Sequence, residues 1–207
     1  MTFIPEQTLI FLFSGKEDIY SHCTRIVMQE KEVPSEIKYE DLDNPTEDFL
    51  ELSPYQTLPV ITDKNLVLFD FRTILEYLDE RFPFPPLMPV DPESKASIRQ
   101  MIARIDRDWI SKAVEIKVSS TKRANILRKA LSNDISKLAI LFKQHEFFMY
   151  DEYTLLDCVL APLLWQLDDL EVVLPASAKP IMDYADRLFE RENFQNSLTD
   201  YEEEMRI

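Results

Sequence analysis

Cys23 directly follows His22, and a thiol beside an imidazole is the pairing that could make a sulfur nucleophile. The two lie in "DIYSHCTRIVMQEKE", a segment with helical spacing, where successive side chains point about 100° apart and cannot form a nucleophile–base pair. Cys23 instead shares a stripe with Ile19, Ile26 and Val27 and reads as a small core residue. Cys158, inside the apolar run "TLLDCVLAPLLWQL", reads the same way. There is no Cys-x-x-Cys pair for dithiol exchange, and two cysteines make no disulfide framework. His22 and His145 are too few and too far apart to suggest a metal site. The hydroxyls near the first helix are Ser14 and Ser21, each open to a plainer reading: a strand-end turn for Ser14, the helix surface for Ser21.

The first eighty-odd residues must position these groups. "TLIFLFSG" is an apolar run suited to a strand buried on both faces, and "DIYSHCTRIVMQEKE" follows as a helix. "IKYEDL" reads as a second strand, "TEDFLELSP" as a short helix, and "LPVITD" and "LVLFD" as two close strands separated at Lys64-Asn65. Phe71, Ile74, Leu75, Leu78 and Phe82 then make a helical stripe, so the order is β-α-β-α-β-β-α. Pro59 falls at the start of a strand, where a missing N–H is tolerated and a cis bond is allowed.

Beyond Asp91 every signal is helical. Ile98, Met101, Ile102, Ile105 and Trp109 form one stripe; Ile126, Leu127, Leu131, Ile135, Leu138 and Phe142 form another. Leu155 to Leu167 is apolar on nearly all sides, as expected of a central helix, with Thr154 and Asp157 spaced as a short-armed capping box. A last amphipathic helix carries Ile181, Ala185, Leu188 and Phe189. The composition shift at 83–92 divides the chain into an α/β domain, residues 1–87, and an all-helical domain, residues 92–207.

Charge narrows the function. A net charge of −15 on 207 residues repels nucleic acid over most approaches and suits a basic protein partner, or simply a solvated surface. "TFIPEQ" after Met1 is no secretory leader, and the longest apolar run is too short to span a bilayer and contains Asp157 and Pro162; no membrane association is expected, and the cytoplasm is the expected location.

"RIVMQEK", "LPV", "LEYLDERFP" and "TLLDC" resemble, in order and over the whole chain, the glutathione S-transferase superfamily. The resemblance implies a thioredoxin-like domain followed by a C-terminal helical bundle. Four longer stretches, "LFSGKEDIYSHCTRIVMQEK", "EYLDERFPFPPLMPV", "LLDCVLAPLLW" and "SLTDYEEEMR", resemble its stringent starvation protein A branch, whose members bind RNA polymerase with its housekeeping sigma factor and lack transferase activity. That likeness implies transcription regulation in stationary phase and stress, a homodimer (or a heterodimer with a paralogue), no cofactor and no direct contact with nucleic acid. The branch is described as using a proline-histidine-proline loop; here it reads Pro83-Phe84-Pro85, followed by Pro86, which leaves room for an apolar contact and offers no imidazole hydrogen bond or charge.

Carried over position by position, the superfamily's glutathione site falls on Asp18, Leu58, Pro59, Asp70 and Phe71. Where related transferases place a serine or cysteine stands Asp18, and a carboxylate ~4 Å from a thiolate opposes its ionisation by on the order of 4 kcal/mol at a surface-like dielectric. Phe11 and Phe13 offer no hydroxyl in strand one. The acidic–hydroxyl pair that grips the γ-glutamyl end reads Asp70-Phe71; Asp70 could meet an ammonium or cap its helix, and Phe71 has lost the hydroxyl. The site positions are therefore read as vestigial, with a glutathione-binding transferase of weak or altered activity as the alternative. A sensor of a small charged ligand at a dimer cleft is a third reading, for which no basic cluster speaks.

"ERFPFPPLMPVDPES", residues 80–94, concentrates prolines around two rings. Prolines lose little entropy on docking, and rings beside them form a rigid apolar ridge that suits an interface. Phe82 falls on the preceding helix stripe and is expected in the core. Phe84 falls off it, to be exposed as a binding edge or packed between the domains.

Overall fold

The computed structural model describes residues 9–206. Met1, the "TFIPEQ" stretch and Thr8 of the first expected strand lie outside the described residues. The chain divides into two compact units, Met1–Pro85 and Pro86–Ile207.

The first unit holds a four-stranded sheet in the order β2-β1-β3-β4, formed by β1 (Ile10–Ser14), β2 (Ser35–Tyr39), β3 (Val60–Asp63) and β4 (Leu66–Leu68). β1 pairs parallel with β2, Leu12 opposite Ile37, and antiparallel with β3, Leu12 opposite Ile61. A parallel pair needs a crossover between its strands, and α1 (Ile19–Glu30) supplies it. The second strand starts earlier than "IKYEDL" suggests and stops at Tyr39; the Glu40 N–H still donates to the Ser14 carbonyl, and its carboxylate accepts from the Thr46 N–H and hydroxyl. Thr46 in turn caps α2 (Glu47–Leu52). α3 (Phe71–Arg81) closes the unit, burying Phe71, Ile74, Leu75 and Leu78. Phe82 is not core: it is the C-cap of α3, half-buried beneath the Arg81 guanidinium 5.3 Å from its ring.

The second unit is helical. α4 (Pro92–Ile105) continues through a π turn at Asp106–Ile110 into α5 (Ser111–Val118), and α6 (Thr121–Ser136) follows. The stripe read from Ile126 to Phe142 holds only in part. Ile126 is exposed, while Leu127, Leu131 and Ile135 are buried; the helix ends at Ser136, so Phe142 reaches the core from a separate 3-10 turn. α7 (Leu155–Trp165) is buried along its whole length. Its first turn is locked by Asp157, which accepts from the Thr154 and Phe148 amides and from the Tyr184 hydroxyl at 2.6 Å. α8 (Lys179–Phe189) is the amphipathic helix expected there, though two short helices, α9 (Glu192–Gln195) and α10 (Asp200–Glu204), follow it. Among the described residues no helix is long and apolar enough to cross a membrane.

Candidate functional site

The positions singled out by sequence fall at the two ends of α3, which at 1.5 Å per residue are about 16 Å apart. At its N-terminal end lie Asp70 and Phe71, near the turn from β1 into α1. That turn is tight. A Cβ on Gly15, the single glycine of the chain, would come within 2.6 Å of the Asp18 Cβ, so only glycine fits there. The same Cβ would lie 3.5 Å from Leu58, which together with the buried Pro59, joined to it by a cis bond, forms the wall opposite.

Both serines at this turn already have a structural task. Ser14 and Ser21 are both fully buried, so Ser21 does not sit on the helix surface where its spacing could place it. The Gly15 N–H donates to Ser21 Oγ at 3.0 Å. The Arg25 guanidinium, itself 2% exposed, donates to Ser14 Oγ at 2.6 Å and to the Gly15 carbonyl at 3.0 Å. Arg25 reaches this point from the second turn of α1 and ties the helix to the end of β1. Asp18 is the N-cap of α1, accepting from the Ser21 N–H at 2.7 Å. Burial pushes its carboxyl above the ordinary range, opposed by the hydrogen bond from Ser21 and by the Arg25 charge. His22 and Cys23 are buried, and burial, with Arg25 adding to it, holds the imidazole well below its usual pKa. The neutral ring and the small thiol are helix packing.

At the start of α3, Asp70 accepts from the Thr73 N–H at 3.0 Å and the Thr73 hydroxyl at 3.1 Å, and pairs with Arg72 at 3.2 Å. It caps its helix. Partial burial raises its carboxyl, but the Thr73 amide and Arg72 outweigh that and hold it below the ordinary value. Phe71 is turned inward, its ring 4.8 Å from that of Tyr20 on α1. A separate open cavity of about 250 Å³, lined by Phe11, Phe13, Lys38 and α2, includes none of these groups.

The C-terminal end of α3 is built differently. Pro83, Phe84, Pro85 and Pro86 are all exposed, and the Phe84 ring is 81% exposed. The Phe84–Pro85 bond is cis. Beneath the loop lies Lys31, whose buried side chain pairs with Asp79 at 2.5 Å and donates to the Pro85 carbonyl. Sequence reading passed over both charges. The signal was present: Lys31 is four residues past Val27 and Asp79 four past Leu75, so each continues a buried stripe where a lone charge needs a partner.

Comparison with known proteins follows the same division. Residues 19–81 match the family model described as Glutathione S-transferase, N-terminal domain, and residues 100–192 that described as Glutathione S-transferase, C-terminal domain. The tau class glutathione S-transferase of mango, Mangifera indica, superposes with a TM-score of 0.82 over 95% of this chain and 94% of its own at 19% identity, which establishes the shared fold. The Stringent starvation protein A homolog of Coxiella burnetii is 44% identical over 97% of both chains, and that of Pasteurella multocida is 42% identical over 93% of this chain and 92% of its own. The chain therefore belongs to the stringent starvation protein A family, within the glutathione S-transferase superfamily.

Proposed function

We propose that this protein regulates transcription without catalysis, by binding RNA polymerase holoenzyme that carries the housekeeping sigma factor, in stationary phase and stress. Pro83, Phe84, Pro85 and Pro86 form the contact. The observation that carries this reading is the Phe84 ring, 81% exposed on a proline-bounded loop. Burying such a ring against a partner contributes about 1.5–3 kcal/mol, enough to make it an anchor. Family membership supplies the class of partner, and a net charge of −15 supports action through a protein rather than through promoter DNA. The protein acts in the cytoplasm as a dimer. Loss of the superfamily's chemistry supports the same conclusion: Asp18 and Asp70 are spent as helix caps, Phe71 fills space where a hydroxyl is needed, and Ser14 and Ser21 are engaged within the fold.

The test is co-purification of holoenzyme from stationary-phase cells with the wild type and with Phe84→Ala/Pro85→Ala. The double variant should lose the polymerase while melting at nearly the wild-type temperature; equal capture would overturn the loop assignment. Titration with glutathione should give no heat, and a standard electrophilic substrate should not be conjugated. Turnover would instead favour a transferase.

A further inference from the structure

The loop at 83–86 has an anchoring problem set by its composition. Three of its four residues are prolines, so it owns a single backbone N–H, that of Phe84. It can be tied to the scaffold almost only through its carbonyls. The Pro85 carbonyl, flanked by the exposed Phe84 and Pro86, accepts from the Lys31 ammonium. Lys31 stands at the C-cap of α1, and its side chain is 0% exposed. A buried ammonium needs an opposite charge and acceptors for its donors, and Asp79 of α3, 2.5 Å away, provides the charge. Residues 31, 79 and 85 are thus joined across three separate segments of the first unit.

We propose that Lys31 and Asp79 are positioning residues for the binding edge. Asp79 fixes the ammonium and the ammonium fixes the Pro85 carbonyl, so Phe84 is held in its presented orientation before a partner arrives. This rests on the loop being the polymerase contact. Without the pair the loop samples other orientations, and if the presented one falls to about a tenth of the population, apparent affinity falls about 10-fold.

The test replaces both charges together, Lys31→Met with Asp79→Leu, because exchanging a buried pair for apolar groups need not unfold the protein whereas removing one partner strands the other. Lys31→Gln with Asp79→Asn serves if the first variant does not fold. Phe84→Trp, placed in the wild-type and variant backgrounds, reports loop motion by fluorescence anisotropy decay after subtraction of the signal of Trp109 and Trp165, measured in the same backgrounds with Phe84 in place. The expected result is a nearly unchanged melting temperature, a larger nanosecond wobble of the tryptophan and, with Phe84 restored, holoenzyme affinity about 10-fold weaker. An unchanged wobble, or wild-type affinity in a protein whose Phe84→Ala variant does lose the polymerase, overturns the proposal. If the wild type itself fails to bind holoenzyme, the proposed function falls, and the wobble alone decides the positioning role.

Discussion

The two ends of α3 use polar and apolar groups in opposite ways. At the N-terminal end, hydroxyls, a guanidinium and a carboxylate meet, and they bond to each other and to the backbone: Arg25 to Ser14 and Gly15, Gly15 to Ser21, Ser21 to Asp18. At the C-terminal end the charges lie underneath, Lys31 against Asp79, while an aromatic ring faces water. Polar groups satisfied by the fold have little left for a ligand, and an apolar group denied burial by the fold has its burial free energy still to gain. On the proposed function, the polar end of α3 serves the fold and the exposed end meets the partner.

The largest effect that could break this contrast lies at the closed end. Arg25→Met keeps an unbranched apolar stem and removes the guanidinium donors, leaving Ser14 Oγ and the Gly15 carbonyl short of a buried partner. Unfolding in urea should show a loss of about 3 kcal/mol. A loss under about 1 kcal/mol would mean that the cleft is not locked from within. The exposed end should answer in the opposite currency: Phe84→Ala should weaken holoenzyme binding by about 2 kcal/mol, roughly 30-fold, while changing stability by less than about 0.5 kcal/mol. Titration calorimetry or surface capture against purified holoenzyme reads the first quantity and thermal melting the second.

How much of this the sequence disclosed follows from the range of each interaction. Periodicity is local, so the order β-α-β-α-β-β-α, the buried α7 and the caps at Asp70 and Thr154 were legible from neighbours within one turn. The family's motifs directed attention to Asp18, an N-cap in the structure, and to the proline loop, which is exposed. Spacing marks Lys31 and Asp79 as charges on buried stripes, but not which partner each finds 48 or 54 residues away, so the bonds of Lys31 to Asp79 and to Pro85 are not legible in it. Ile126 was misread because four apolar residues within six fit a helix stripe that was drawn one position too wide, and Phe82 because a stripe does not show where its helix stops. Ser21 looked like surface since its type is polar; only the Gly15 N–H that it serves explains its burial.

A smaller effect separates the two ends further. Ser21→Ala removes the acceptor of the Gly15 N–H and should cost about 1.5 kcal/mol of stability. If the loop makes the contact, as proposed, it should leave holoenzyme affinity at the wild-type value. A fall in affinity greater than the variant's unfolded fraction accounts for would show the cleft to be part of the interface.

The smallest effect is electrostatic and has a sign of its own. His22 is held neutral in the folded chain by burial and then by Arg25, so its folded pKa lies well below the value near 6.5 that it regains on unfolding. Between those values the unfolded chain binds the extra proton, and stability rises with pH. The contribution is complete above about 6.5 and is lost below it, with a slope of at most about 1.4 kcal/mol per pH unit. Asp18 and Asp157 act the other way, because burial raises both carboxyls: the folded chain keeps their protons longer, and the stability this gives is lost as pH climbs from the ordinary carboxylate value through the raised one. Urea midpoints measured from pH 7.5 to 5.5 should therefore show a larger acid loss, or a smaller acid gain, for the wild type than for His22→Asn. Pro83, Phe84, Pro85 and Pro86 carry no titrating side chain, so the same acidification changes no charge on the loop itself. Parallel slopes for the two proteins would show that His22 takes up its proton within the fold, and the closed end of α3 would then be open to charge after all.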